Sequence, residues 1–234
     1  MFRARFITTP LAAATFLGFG ASDLLLWLVP PARRWLHVNS RLWSRLLLRL
    51  AGVKLVAEGL DRIPQTRPCV LAANHLSYLD TPVMAAAMPV RFRFMAKESL
   101  FRMPIVGWHL KRDRHISVRR EEPREAARSM VEAVRCLRER VASVLVFAEG
   151  TRSGGGLQAL KAGAAHIAIK SGAPLVPVVI QGTEDALPRG SLMIRPATVR
   201  VRIGDPVEVE GLTSRDRGIL TERLEAQFRR LLEA

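Results

Sequence analysis

The chain has 234 residues and a formal net charge of +15 at pH 7, with 49% apolar and 24% charged residues. This length and composition suffice for one domain with a full hydrophobic core and exclude a disordered chain. The charge predicts attraction to anionic partners, whether nucleic acid, acidic lipid or an acidic carrier protein. Two cysteines in apolar patterns, Cys69 and Cys136, have no metal-site spacing and predict reduced thiols.

The first predicted element is an apolar segment at residues 10–30, close to the ~20 residues that a bilayer-spanning helix needs. Asp23 lies near its centre, where a carboxylate in lipid costs roughly 2.5–3.5 kcal/mol. Basic residues flank both ends and give no clear orientation. The sequence therefore favours a re-entrant or interface-embedded segment over one that crosses the membrane.

The next element is an amphipathic helix. Its apolar positions are Trp35, Val38, Leu42, Trp43, Leu46, Leu47 and Leu50, and its arginines are Arg34, Arg41, Arg45 and Arg49. Trp and Leu on one side with Arg on the other are typical of a helix at a membrane surface, where the arginines would face lipid phosphates. An ordinary helix that packs on the protein core is the alternative.

After Gly52, short apolar runs alternate with helical periods. The predicted strands are residues 53–58, 68–73, 91–96, 115–119, 143–148, 174–180 and 197–203. The predicted helices are residues 82–88, 104–110, 123–141, 161–170 and 214–232. On the predicted helix 123–141 the expected buried stripe is Ala127, Met130, Val134, Leu137 and Val141. On the predicted helix 214–232 it is Leu220, Leu224, Phe228 and Leu231. This alternation predicts an α/β fold, a mixed sheet flanked by helices.

Polar residues that could act chemically follow the apolar run Val70–Ala73. His75 and Asp80 lie between this predicted strand and a helix expected to begin at Thr81-Pro82, with Thr81 as its N-cap. Five residues apart, they do not share a face of a regular helix and meet only if a turn brings them together. A carboxylate bonded to one imidazole nitrogen would leave the other nitrogen as a base. A purely structural histidine is the alternative.

A second polar cluster follows the apolar run that ends at Phe147. Glu149, Gly150, Thr151 and Arg152 supply a carboxylate, exposed backbone amides, a hydroxyl and a guanidinium. Such a set suits a phosphate ester, because Arg binds phosphate in a bidentate manner and amides add donors. A polar turn stabilised by its own Glu–Arg pair is the alternative.

Together these blocks resemble the 1-acylglycerol-3-phosphate acyltransferase family of the glycerolipid acyltransferases. Asn74-His75 with Asp80 matches the family's N-H-x4-D block, and residues 147–153 match F-P-E-G-T-R-S, with Ala148 in place of Pro. The other matches are Lys97, Leu100, Pro104 and Gly107; Arg120, preceded by Arg119 where an acid is usual; Lys161 and Gly163; and Val176-Pro177-Val178. The resemblance covers roughly residues 50–205 in the family's order.

The resemblance implies acyl transfer from acyl-CoA or acyl carrier protein to the free hydroxyl of 1-acyl-sn-glycerol-3-phosphate, which gives phosphatidic acid for phospholipid synthesis. It implies His75 as the base and Asp80 as the residue that orients it. The implied substrate-binding residues are Glu149, Gly150, Thr151, Arg152, Arg120, Lys97 and Lys161. A thioester is already activated, so no enzyme nucleophile, metal or cofactor is implied.

The organisation expected from all this is a membrane-associating helical segment at residues 1–50 and an acyltransferase catalytic domain at residues 51–234. The predicted location is the cytoplasmic face of a cell inner membrane or another membrane. The same chemistry on glycerol-3-phosphate, a lyso-ornithine lipid or another lysolipid stays open. A basic nucleic-acid-binding protein would explain the charge but not the motif blocks, and aromatic residues are only 6%. We therefore expect no nucleic acid partner.

Overall fold

A computed structural model describes residues 9–119, 121–153, 156–191 and 193–233. Seven strands form one sheet in the order β1-β7-β6-β2-β5-β3-β4. The strands are β1 (Lys54–Glu58), β2 (Val70–Ala73), β3 (Phe92–Lys97), β4 (Ile116–Val118), β5 (Ser143–Phe147), β6 (Leu175–Gln181) and β7 (Thr198–Ile203). Every predicted strand is present, shifted by at most two residues at an end, so the predicted α/β class with a mixed sheet is confirmed.

The helices of the described residues flank this sheet and precede it. They are α1 (Thr9–Leu28), α2 (Leu36–Ala51), α3 (Asp80–Ala87), α4 (Val106–Arg112), α5 (Pro123–Arg138), α6 (Gly163–Ser171), α7 (Thr183–Ala186) and α8 (Arg217–Glu233), with short 3-10 turns at Pro30–Trp35, Leu60–Arg62 and Glu98–Arg102. The sequence did not predict α7, because one turn of helix is too short to show a hydrophobic period.

Strand direction determines where a site can form. Strands β2 to β6 are mutually parallel, whereas β7 runs antiparallel to β6 and pairs in parallel with β1. The carboxyl ends of five strands therefore share one edge of the sheet. In parallel sheets the loops beyond this edge carry binding and catalytic side chains.

Each face of the sheet carries its own apolar core. Residues such as Leu71 and Val178 pack with α2 and α3 on one face, and residues such as Val144 and Leu175 pack with α5, α6 and α8 on the other. Leu220, Leu224 and Phe228 of α8 are buried as predicted, and Leu231 is partly buried. The predicted α5 stripe was wrong at its ends: Ala127 and Val141 are exposed, while Ser129, Ala133 and Cys136 are buried. Each of these three buried residues directly precedes a residue that was predicted to be buried.

Helices α1 and α2 pack against each other as a hairpin that lies on the α/β domain. Trp43 of α2 stacks on Phe19 of α1 with ring centroids 4.9 Å apart. Arg41 donates to the carbonyl of Met88 at 2.5 Å, and Arg45 donates to the carbonyl of Ala86 at 3.1 Å. These carbonyls end α3 and lack helical partners, so they attract cationic donors. The expectation that Arg41 and Arg45 face lipid was therefore wrong.

Asp23 explains how α1 is held. Its side chain is 2% exposed, and its Oδ1 lies 2.9 Å from Nδ1 of His109 in α4. Arg112, one turn further along α4, approaches Asp23 Oδ2 at 3.9 Å. Close packing continues at Gly20, where an added Cβ would lie 3.0 Å from Ile105 Cγ1. The Asp23 carboxylate, which would be costly inside a membrane, is thus paired with side chains of α4.

Replacing Asp23 by Ala should therefore destabilise the protein. The substitution leaves His109 and Arg112 without their buried partner, which costs about 1–3 kcal/mol. Denaturant unfolding of the detergent-solubilised chain measures this loss. Leu17→Ala serves as the control on the same helix, because Leu17 is 65% exposed and should change the free energy of unfolding little. Equal stability of the two variants would contradict a structural role for the Asp23–His109 contact.

Candidate active site

Two loops with polar side chains begin side by side at the carboxyl edge of the sheet. Strands β2 and β5 are neighbours, with Ala73 in register with Phe147. His75 and Glu149 each lie two residues beyond these paired positions. The two clusters found in the sequence are therefore brought together by the parallel pairing of two strands more than seventy residues apart.

The Asp80 carboxylate creates the turn that joins it to His75. Its Oδ2 accepts hydrogen bonds from the backbone amides of Leu76 at 2.7 Å and Ser77 at 3.0 Å, and lies 2.7 Å from His75 Nδ1. Oδ1 accepts the hydroxyl of Thr183, at the start of α7. Asp80 is also the first residue of α3, so the helix begins before the predicted Thr81 N-cap, because this turn already has helical geometry.

These contacts set the state of the His75 ring. The fully buried Asp80 carboxylate accepts the Nδ1 proton, which leaves the Nε2 lone pair free. The ring stacks on Phe147 with centroids 3.9 Å apart and planes 12° from parallel. The side chain is 15% exposed, so the imidazole is held rigidly but can still be reached.

The carboxylate of Glu149, which was predicted to help bind a phosphate ester, contacts two backbone amides of the chain. Its side chain is buried, its Oε1 accepts the backbone amide of His75 at 3.0 Å, and its Oε2 accepts that of Gln158 at 3.3 Å. On the other side, the amide of Ser153 donates to the His75 carbonyl at 2.8 Å. Both backbone groups of His75 are thus fixed by the loop after β5. Burial raises the pKa of Glu149, and the two amide hydrogen bonds oppose this shift.

Three further residues complete the surroundings: Asn74, named above only as part of the N-H-x4-D block, and Thr183 and Glu184, which were not predicted. Asn74 bridges to β6, since its amide group exchanges two hydrogen bonds with the backbone of Ile180 at 2.7 and 2.9 Å. Thr183 holds Asp80, as described above. Glu184 follows it, and burial raises the pKa of this carboxyl, with Asp185 and Asp80 adding to the shift. Thr183 and Glu184 lie just after β6, at the shared edge of the sheet, and this position was the only signal for them in the sequence.

Two basic side chains near His75 carry no ion pair within the described residues. Arg152 lies flat on Tyr78, with Cζ 3.6 Å from the ring centroid. Lys161 lies over Gly150, where an added Cβ would come within 3.0 Å of Lys161 Nζ. Gly150 has φ of +75°, a left-handed backbone conformation that favours glycine. Thr151, between them, is exposed.

Two other basic residues of the motif blocks, Lys97 and Arg119, form ion pairs. Lys97 ends β3 and lies 3.3 Å from a carboxylate oxygen of Glu121, and Arg119 lies 2.6 Å from Glu98. Hydrogen bonding from Arg119, assisted by Arg102, lowers the pKa of Glu98. Arg120 lies outside the described residues. The structure brings Arg152 and Lys161 close to the His75 loop and leaves Lys97 engaged with an acid.

One histidine–carboxylate cluster lies elsewhere, where His109, Asp113 and His115 place their ligand atoms within 4.8 Å of one another. His115 Nδ1 accepts the amide of Phe94 at 2.8 Å, which leaves its proton on Nε2. Asp113 is bound by Arg91 at 2.7 Å, and His109 is bound by Asp23. These contacts use one atom of each side chain, and they join the three residues to Asp23, Arg91 and the backbone of Phe94 in a buried polar network.

A family profile described as acyltransferase matches residues 54–181, which include both loops of the site. The chain belongs to the acyltransferase family. In this family context Gly107 has a clear structural reason, because an added Cβ would lie 2.4 Å from the Phe101 carbonyl oxygen. Ala148, where the family pattern has Pro, donates its amide to the Ala73 carbonyl at 2.8 Å and adds a hydrogen bond between β5 and β2 that proline could not make.

Named relatives agree with this family. The chain is 33% identical over 181 residues to the chloroplastic 1-acyl-sn-glycerol-3-phosphate acyltransferase BAT2 of Brassica napus, covering 75% of this chain and 51% of that protein. The 1-acyl-sn-glycerol-3-phosphate acyltransferase of Borreliella burgdorferi is 28% identical, with 84% and 78% covered. The chain therefore spans about half the length of the plant relative and most of the bacterial one.

A solved structure has the same fold. The crystal structure of the 1-acyl-sn-glycerophosphate (LPA) acyltransferase PlsC from Thermotoga maritima superimposes with a TM-score of 0.83 and 27% sequence identity. The match covers 97% of this chain and 92% of that chain, so it includes the N-terminal helices as well as the α/β domain.

The contacts of Glu149 predict a difference between two substitutions. Glu149→Gln keeps an oxygen that can accept the His75 amide, whereas Glu149→Ala leaves that buried donor unpaired at a cost of about 1–3 kcal/mol. We expect Gln to retain a substantial part of the activity and Ala to lose most of it. Turnover and thermal unfolding of both variants provide the measurement. An Ala variant as active as the Gln variant would show that the Glu149–His75 contact does not position the histidine.

Proposed function

We propose that this acyltransferase moves a fatty acyl group from a thioester to the free hydroxyl of 1-acyl-sn-glycerol-3-phosphate and so makes phosphatidic acid. The observation that carries the proposal is the His75–Asp80 pair, which leaves Nε2 of His75 free, together with Arg152, which forms no ion pair within the described residues. Relatives whose names state this activity match 75% and 84% of this chain. The geometry supplies the two requirements of the reaction, a base for an alcohol and a cation for its phosphate.

The proposed reaction begins with proton transfer. Nε2 of His75 takes the proton from the acceptor hydroxyl as its oxygen attacks the thioester carbonyl, and Asp80 stabilises the resulting imidazolium. The tetrahedral oxyanion then collapses, the C–S bond breaks, and the imidazolium returns the proton to the leaving thiolate. We assign Lys161 and the amides around Gly150 to stabilising the oxyanion, because they lie on the loop that clasps His75.

The acceptor phosphate is assigned to Arg152. Its guanidinium is held flat on Tyr78 and pairs with no carboxylate of the described chain, so its edge is available for a bidentate contact. Thr151 is exposed next to it and can add a hydroxyl donor. Lys97 and Arg120 remain proposed contributors to the phosphate site, and binding of substrate by Lys97 would compete with its Glu121 contact.

The proposed place of action is the surface of a membrane, at its cytoplasmic face. Helix α1 is long and apolar enough to cross a bilayer, the only such helix among the described residues. Its Asp23 is nevertheless bound to α4, and its outer side exposes Leu17, Leu24 and Leu28. Such a hairpin can lie in the interface with its apolar side in lipid and keep the acceptor within reach of His75.

The proposed reaction is tested with purified enzyme, labelled acyl-CoA and acyl carrier protein thioesters, and a panel of acceptors. We expect labelled phosphatidic acid from 1-acyl-sn-glycerol-3-phosphate, with one of the two donors used better. Faster transfer to glycerol-3-phosphate or to a lyso-ornithine lipid would replace the proposed acceptor while retaining the chemistry. No transfer to any of these acceptors from either donor would contradict the proposed acyltransferase reaction.

His75→Ala should lower turnover by about 10²–10⁴-fold, the usual contribution of a general base. The fold should survive, because the backbone contacts of residue 75 do not need the ring. His166→Ala is the matched control, since His166 is a half-buried histidine on α6 away from the site. More than a few per cent of activity in the His75 variant, at unchanged thermal stability, would show that another group takes the proton.

Arg152→Ala should raise the KM for a phosphate-bearing acceptor by roughly 10- to 150-fold, which corresponds to losing one charge-assisted contact worth about 1.5–3 kcal/mol. The KM for the acyl donor should change little. Arg128→Ala on the outer side of α5 removes the same charge far from the site and should change neither constant. An equal effect of Arg152→Ala on both substrates would indicate a structural role for this arginine.

A further inference from the structure

A cavity of about 620 Å³ lies at the opposite edge of the sheet from His75. Its lining includes Arg91, Arg114 and Val141, which precede β3, β4 and β5, whereas the candidate active site follows the carboxyl ends of β2 and β5. These strands are parallel, so the two sites are on the order of 20 Å apart at about 3.3 Å per residue. The cavity is therefore separate from the proposed catalytic centre.

The lining of this cavity is strongly cationic. Six arginines and one lysine contribute to it, against the single carboxylate of Asp113. That carboxylate is already bound by Arg91 at 2.7 Å. Arg93, Lys111 and Arg114 form no ion pair within the described part of the chain. They also line an adjoining cavity of about 370 Å³, whose acids Glu132 and Glu139 pair with none of the three.

Two of these basic residues are held in an energetically unfavourable way, Arg93 by its burial and Arg114 by its backbone conformation. Arg93 is only 9% exposed, and its Nε has no hydrogen-bond partner in the described chain. A buried N–H group without an acceptor is costly unless an anion completes it. Arg114 has φ of +58°, a left-handed conformation that glycine adopts far more easily. The Arg114 conformation ends α4, because its amide donates to the Lys111 carbonyl at 3.2 Å and the amide of His115 donates to the Leu110 carbonyl at 2.8 Å. Both features place a cation at the cavity.

The positive charge around the cavity also lowers the pKa values of two neighbouring histidines. Burial lowers the pKa of His115 well below its ordinary value, and His109, Arg93 and Arg91 lower it further. Burial likewise lowers the pKa of His37, with Arg91 as the next contributor. Both histidines are therefore neutral near pH 7, and the charge facing the cavity comes from arginine and lysine, which an anion would neutralise.

The mouth of the cavity is built from indole rings. Trp27 carries two guanidinium groups over its ring, Arg33 at 5.1 Å and Arg112 at 5.0 Å from the centroid, and Arg112 also lies 5.6 Å from the ring of Trp108. Stacking on rings fixes guanidinium groups without using their hydrogen-bond donors. Arg33 also donates its Nε to the Trp27 carbonyl at 2.8 Å, and its other donors, like those of Arg112, are ordered before a ligand arrives.

We infer that this cavity binds the phosphate headgroup of an anionic phospholipid, as a second site that does not take part in catalysis. The phosphate oxygens would pair with Arg93, Lys111 and Arg114, which need acceptors. The lipid source is favoured by position. The turn between α1 and α2 lies at the cavity, and it exposes Leu28 and Val29 directly beside Trp27, so acyl chains would find apolar surface next to the headgroup.

The experiment compares binding of the full chain to phosphatidylcholine vesicles with and without roughly 30 mol% phosphatidylglycerol. The variant is Arg93→Gln/Arg114→Gly. The matched control is Arg128→Gln/Arg229→Gln, which removes the same two charges from exposed helix surfaces. We expect the cavity variant to lose about 30-fold of the enhancement by anionic lipid, roughly fivefold per cation, and the control less than about threefold.

Two further readouts separate binding from folding and from catalysis. The melting temperature of the cavity variant should be unchanged or higher, because repulsion and backbone strain are relieved, and turnover on a short-chain, water-soluble acceptor should be unchanged. This second result keeps the test independent of the proposed reaction. An equal loss in the control variant, or a wild-type response in the cavity variant, would overturn the inference. Calorimetric binding of inorganic phosphate or CoA to the cavity as tight as that of soluble short-chain phosphatidylglycerol would overturn the lipid assignment in favour of a soluble anion.

Discussion

The buried carboxylate of Asp80 is the group on which the rest of the candidate site depends. It accepts two backbone amides, the ring nitrogen of His75 and the hydroxyl of Thr183, so one side chain closes the turn after β2, begins α3 and contacts the start of α7. A buried charge with this many donors is well compensated, and its loss would leave several of them unpaired. The orientation of the histidine is a consequence of this arrangement.

A second constraint acts through the backbone. Glu149 and Ser153 bind the amide and the carbonyl of His75, so the loop after β5 fixes the position of the histidine while Asp80 fixes the direction of its ring. The same loop carries Arg152, which is left without an ion pair within the described residues. In the proposed mechanism, positioning and substrate binding are divided among neighbours: the acid of the loop supports the proposed base, and its arginine binds the acceptor phosphate.

The N-terminal hairpin, formed by α1 and α2, also depends on buried polar contacts. Asp23 binds α4, while Arg41 and Arg45 bind the end of α3, so both helices are held on the domain by polar contacts on their inner sides. Their outer sides keep exposed leucines. The boundary predicted at residue 50 stays a prediction, although Leu48 and Ala51 of α2 belong to the apolar core of the domain. A hairpin fixed in this way can bring both edges of the sheet, with the proposed active site at one and the cationic cavity at the other, to one membrane surface.

The sequence by itself determined the strands, the long helices and the family resemblance, because periodicity and motif order are local properties of the chain. It identified His75 and Asp80 as a pair but could not show the turn that joins them, since that turn is made by a carboxylate accepting amides. It assigned Glu149 to a phosphate and Arg41 and Arg45 to lipid, because residue type alone does not reveal which buried donor or helix end needs a partner. Those partners lie 41 to 74 residues away along the chain. Only the tertiary structure decided them, because parallel strand pairing and helix packing bring together groups that have no relationship in the sequence.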